Sequence, residues 1–91
     1  MAKTENDIKV TKDWQNLVTT YPGLASVSSY VQNKAFNSDK RLLVIFSPSA
    51  AAPTGSNGMS LAAGDVAQGT AANIWVRAFR EDVVINCGTT D

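Results

Sequence analysis

Ile74-Trp75-Val76-Arg77-Ala78-Phe79 is the stretch that decides the fold class. It alternates with a period of two, so Ile74, Val76 and Ala78 share one face and Trp75, Arg77 and Phe79 the other. Residues of this kind, β-branched or aromatic, fit a pleated, half-buried surface. Arg80-Glu81-Asp82 then reads as a charged turn, and Val83-Val84-Ile85 as the second arm of a hairpin. The last residues, 89–91, are expected to fray.

Moving toward the N-terminus, the same period recurs. Ala25-Ser26-Val27-Ser28-Ser29-Tyr30-Val31-Gln32 places Ala25, Val27, Ser29 and Val31 inward and Ser26, Ser28, Tyr30 and Gln32 outward. Ile8-Lys9-Val10-Thr11-Lys12 makes a shorter strand with one buried face. Leu42-Leu43-Val44-Ile45-Phe46 differs, being apolar at both parities. Such a strand is covered on both faces, either by a second protein surface or by the chain's own arm or loop. Met59-Ser60-Leu61 and Asp65-Val66 flank Ala62-Ala63-Gly64, which suggests a short strand, a tight turn and another short strand.

The connections are equally legible. Tyr21-Pro22-Gly23 suits a type II turn, with Pro22 pre-setting φ and Gly23 at positive φ. Residues 33–40 read as a hairpin loop. Phe36 within it either plugs the end of the core or stands exposed for contact. Residues 47–58 (SPSAAAPTGSNG) form the longest loop. Asp13, Trp14, Leu17 and Val18 fit one or two helical turns with Asp13 as N-cap, and equally an irregular strand. Trp14 is expected to be buried, holding the N-terminal segment on the domain.

These signals give an all-β chain: a small antiparallel β-sandwich, jelly-roll-like, of about seven or eight short strands. Its 91 residues allow one domain. Residues 1–7 are read as a flexible arm, 8–88 as the sandwich and 89–91 as a frayed end.

Composition narrows the function classes. Eight basic residues balance eight acidic ones, and only Lys40 and Arg41 are adjacent cations, which argues against a nucleic-acid partner. Histidine is absent, which removes the usual general base and the commonest metal ligand. Glu81-Asp82 is the only adjacent pair of carboxylates, and neighbours on a strand point to opposite faces. No Asp-x-Asp-x-Asp run suggests calcium, and the glycine-rich spots lack the lysine of a phosphate loop. The expectation is a non-enzymatic protein without cofactor or metal. The lone Cys87 reads as a small core residue, or else as an intermolecular thiol. The longest apolar run, Leu42–Phe46, is far short of the ~20 residues of a membrane span. Residues 1–20 show no signal-peptide pattern, so synthesis in the cytoplasm is expected.

The Trp75/Arg77/Phe79 row can stack sugars or bases, or serve as a second core face. The residues expected at an interface are Ile8 and Val10 of the first strand, Leu43 and Ile45 of the two-sided strand, and Pro53 and Asn57 of the long loop. The arm and the loop from Pro48 to Gly58 have no packing role in this reading. The two-sided strand and zero net charge further suggest a homo-oligomer, most simply a trimer.

Five segments carry a resemblance. They are Asp13-Trp14-Gln15-Asn16-Leu17, Ser29-Tyr30-Val31-Gln32-Asn33, Leu42-Leu43-Val44-Ile45-Phe46, Gly58-Met59-Ser60-Leu61-Ala62-Ala63-Gly64-Asp65 and Asn73-Ile74-Trp75-Val76-Arg77-Ala78. Their order resembles small β-sandwich structural proteins of tailed bacteriophages. The charged turn at Phe79–Asp82 departs from that pattern. The resemblance implies a virion component that contacts a capsid or tail protein. A head decoration protein comes first, a tail, fibre or receptor-contact module second. A carbohydrate-binding module using Trp75 and Phe79 is the alternative from another class.

Overall fold

The computed structural model describes residues 4–34, 40–53 and 58–89. Eight strands form two four-stranded antiparallel sheets. The first has the order β1 (Thr4–Val10), β8 (Val83–Thr89), β3 (Ser29–Asn33), β6 (Val66–Gly69); we call it sheet A. The second, sheet B, has the order β2 (Gln15–Asn16), β7 (Asn73–Ala78), β4 (Leu42–Ser47), β5 (Met59–Leu61). The pairs β1·β8, β2·β7, β3·β6 and β4·β5 are nested, with the outermost pair joining the two ends of the chain. Pairs β3·β8 and β4·β7 complete the sheets. This is the winding of a jelly roll, as expected from the sequence.

Alternation builds the core between the sheets. Val10, Val31, Val83, Ile85 and Cys87 come from sheet A, and Leu42, Val44, Ile74, Val76 and Ala78 from sheet B. Cys87 is fully buried and in no disulfide, a small core residue. Each apolar side chain buried here contributes about 1.5–3 kcal/mol.

Nesting also overturns several local expectations. Only β4 and β5 follow one another within one sheet; every other connection crosses between sheets. Strands β7 and β8 therefore do not form a hairpin, and residues 79–82 are a crossing. Their carboxylates are held from both sides, with Lys9 Nζ 3.3 Å from Asp82 and Lys40 Nζ 3.8 Å from Glu81. Strand β3 lies in sheet A and β4 in sheet B, so the two do not form the expected hairpin; Phe36 lies outside the described residues. Strand β1 begins at Thr4, so residues 4–7 are not an arm; Thr4 pairs with Gly88 and Glu5 with Cys87. Between Glu5 and Ile8 the register shifts, with two residues of β1 facing one of β8. Such a bulge twists an edge strand away from further pairing. Strand β8 extends to Thr89, which pairs with Ser29 rather than fraying.

Strand β3 starts at Ser29, later than the alternation implies, because Ser26 takes φ 58° and breaks the extended run. Within it Ser29 and Val31 point inward as expected, and Asn33, expected in the loop, continues the same parity inside the strand. The segment left open between helix and strand contains both. A two-residue strand, Gln15–Asn16, leads into a single turn, α1 (Leu17–Thr20). Its N-cap is Asn16, not Asp13: Asn16 Oδ1 accepts from Val18 N at 3.0 Å. Pro22 does not open a type II turn. It starts a 3-10 turn, Pro22–Leu24, closed by Leu24 N donating to Tyr21 O and Ala25 N to Pro22 O. This tighter path carries Leu24 into the core, and Gly23 needs no positive φ.

The tightest corner is built around Asn33, a polar residue with no exposed surface. Its Nδ2 donates to Lys40 O at 3.0 Å and Leu61 O at 2.9 Å. Its backbone N donates to Asp65 O, and its carbonyl accepts from Gly64 N. One side chain thus joins the end of β3, the approach to β4 and the β5–β6 turn. That turn closes with Asp65 N donating to Ala62 O, and Gly64 at φ 89° supplies the positive φ it requires.

Candidate interaction surfaces

Leu43, Ile45, Trp75, Arg77 and Phe79 fall on the outer face of sheet B by the pairing register. Trp75 is only 8% exposed and Leu43 only 4%. Part of the cover comes from the chain itself. Residues 48–53 fold back as a strap: Trp75 Nε1 donates to Ser49 O at 3.1 Å, and Asn73 Nδ2 to Pro48 O at 3.3 Å. Asn16, the helix cap, donates from Nδ2 to Asn73 Oδ1 at 2.9 Å, so cap and strap share one network. Ser47 and Ser49 hydroxyls accept from Ser49 N and Ala51 N, which turns the strap without buried apolar side chains. The described part of the long loop therefore has a packing role, contrary to expectation. Of the two covers open for the two-sided strand β4, the chain's own loop is present.

Gly58 completes that cover. A Cβ built at residue 58 would lie 2.7 Å from Ile45 Cγ1 and 2.8 Å from Val44 O, and the backbone φ is 110°. Gly58→Ala should therefore destabilise by about 2 kcal/mol. A urea unfolding midpoint unchanged in that variant would contradict the close approach.

Trp14 is half-buried and absent from the core cluster, so it is not the buried anchor expected. Its ring lies under Arg77, with the guanidinium carbon 5.9 Å from the centroid. Trp14 stays outside the core because it precedes strand β2 and, beside Arg77, sits on the outer face of sheet B.

The expected interface residues do not come together. Val10 is 1% exposed, and Ile8 packs half-buried on the core, since both face sheet B across the sandwich. Neither offers an outward surface. Leu43 and Ile45 lie on the opposite side of the molecule under their own cover. Pro53 is half-buried at the end of the described strap. Asn57 lies outside the described residues.

The outer face of sheet A is the open one. Its rows follow from the register: Asn86, Gln32 and Val66 in one, Gly88, Tyr30 and Gln68 in the next. Val66 is 48% exposed and Val84 40%. Asn86 Nδ2 donates to Gln32 Oε1 at 3.4 Å. This face carries amides, a phenol and two valines, with Lys9 opposite Val84 at its edge. The outward parity of Tyr30 and Gln32 was visible in the sequence, but nothing local tells which outward face a loop will cover.

A cleft of about 140 Å³ lies where Thr20 to Leu24 meet Gly88 and Thr89. Small-molecule sites usually occupy about 300–1,000 Å³, so this cleft suits a few waters. Among the described residues no three His, Cys, Asp or Glu side chains gather as a metal site. No described helix is long and apolar enough to cross a membrane. No protein-family model, curated protein or solved structure matches the chain.

Proposed function

We propose that the protein is a non-enzymatic virion component, a head decoration protein that stabilises the shell of a tailed phage by binding across capsid subunits. The observation that carries the reading is the nested eight-strand jelly roll, an architecture recurrent in viral shells. The argument at this level is one of fold, joined to the sequence resemblance. A sequence without histidine supports binding rather than catalysis. The outer face of sheet A supplies a surface of amides, a phenol and two valines, edged by Lys9, a mixture found at protein interfaces. Binding to the assembled shell alone stabilises it by mass action. A homotrimer would have to use a surface other than strand β4, whose outer side is already covered.

The carbohydrate alternative loses its main residue. Trp75 lies under the strap with its indole N–H engaged, so its ring offers no open stacking platform. The test is sedimentation of the purified protein with intact particles, with isolated heads and with isolated tails. Heads should carry it down. Recovery with tails alone would move the assignment to the tail, and recovery with none would refute a virion role.

A further inference from the structure

The crossing at residues 79–82 sorts its charges. Glu81 and Asp82 turn toward Lys40 and Lys9. Arg80 lies over the Phe79 ring, its guanidinium carbon 5.5 Å from the centroid. Phe79 is 38% exposed, although it is large and apolar. Arg41 is its neighbour across the sheet: Phe79 N donates to Arg41 O at 3.0 Å, continuing the β4·β7 register. Among the described residues the Arg41 guanidinium reaches Ser60 Oγ, at 3.5 Å. Neither Arg41 nor Arg80 has an ion-pair partner among the described residues. In a chain of zero net charge, the lysines of this corner are paired and, among the described residues, these two arginines are not.

We propose that Arg41, Phe79 and Arg80 form a docking surface for an acidic segment of a partner protein. Arginine and aromatic side chains are enriched where interface energy concentrates, whereas lysine is depleted. A guanidinium stacked on a ring keeps its N–H edge available for a carboxylate, which it binds in a two-pronged geometry. The exposed ring between the two cations receives an apolar side chain of the same segment. A nucleic acid fits less well. Glu81 and Asp82, with side chains 70% and 46% exposed, stand beside the patch and would repel a continuous polyphosphate. The inference goes beyond the decoration reading, since it concerns the chemistry of one patch whatever assembly the partner belongs to.

The test pans a random-peptide library against the folded protein and, in parallel, against Arg41→Gln/Arg80→Gln and Phe79→Ser. These positions are exposed, and the melting temperature of each variant is checked first. Peptides recovered on the native protein should be enriched in Asp and Glu. Resynthesised, they should bind the double-arginine variant about fivefold to tenfold more weakly, with affinity falling as salt rises. Phe79→Ser should weaken the same peptides. Absence of acidic enrichment would overturn the proposal, as would equal binding by the double variant. Tighter binding of oligothymidylate than of the peptides, lost in the same variant, would also overturn it in favour of a nucleic acid. None of these outcomes depends on whether the protein sediments with particles.

Discussion

Replacing Asn33 by Leu should lower stability by about 3–5 kcal/mol and the melting temperature by roughly 12–40 °C. The side chain is fully buried, and its amide donates to the carbonyls of Lys40 and Leu61. Leucine is similar in size but has no donor. Each carbonyl left without a partner in an apolar setting costs about 1–3 kcal/mol. A domain of this length has only about 5–14 kcal/mol in total, so one substitution removes a large share. The shift in melting temperature follows from about 4–8 °C per kcal/mol for a domain of this size. Asn33→Asp should be as damaging, because it points a second acceptor at two carbonyls. Thermal unfolding by circular dichroism is the measurement. A midpoint within a few degrees of the native protein would mean that the corner does not depend on the amide.

Trp75→Ala should cost about 3–5 kcal/mol, whereas Trp14→Ala should cost about 1–2 kcal/mol. The two tryptophans lie on the same side of sheet B but differ in cover. Trp75 is 8% exposed and its indole ties down the strap through Ser49. Removing it leaves a void and releases residues 48–53. Trp14 is half-buried, and its contact with Arg77 is a cation–π pair worth about 0.5–1 kcal/mol near the surface. Trp75→Phe separates the terms, since it keeps most of the ring and loses the bond to the strap, worth about 1 kcal/mol. Urea denaturation of the three variants gives the order. Equal losses for the two alanine variants would contradict the difference in cover, and a larger loss for Trp14 would reverse it.

How far the sequence could be read depends on the range of the physics at each place. Alternation is local, so the faces of Ser29–Gln32, Leu42–Phe46 and Ile74–Ala78 were legible, and with them the sandwich. Partner choice is not local. Val83-Val84-Ile85 follows Ala78 after a tight, charged turn, as a hairpin would, yet its strand pairs with β1 and β3 because nesting places it in the other sheet. The polar residues at 4–7 looked loose because their partners, from Gly88 backwards, are the farthest away in the chain. Ile8 and Val10 share the buried face that their alternation implies, and that face is the core rather than an interface. Asn33 reads as a turn former, and its role depends on two carbonyls from distant segments. The cover of Trp75 was equally hidden, since small residues such as Ser49 and Ala51 carry no signal for where a loop lies.

The nested order also has a consequence in time. Strand β8 lies between β1 and β3, inside sheet A, yet it is the last of the eight strands to be synthesised. Until it emerges, β1 has no partner in its sheet and β3 has only β6. Sheet B, whose strands all precede residue 79, can form first, starting from the adjacent pair β4 and β5. Sheet A must wait with β-pairing groups of β1 and β3 open to other chains. Pairing between distant segments is also slow, on the order of milliseconds to seconds. The interval before β8 inserts is therefore when neighbouring nascent copies are most exposed to mispairing with one another.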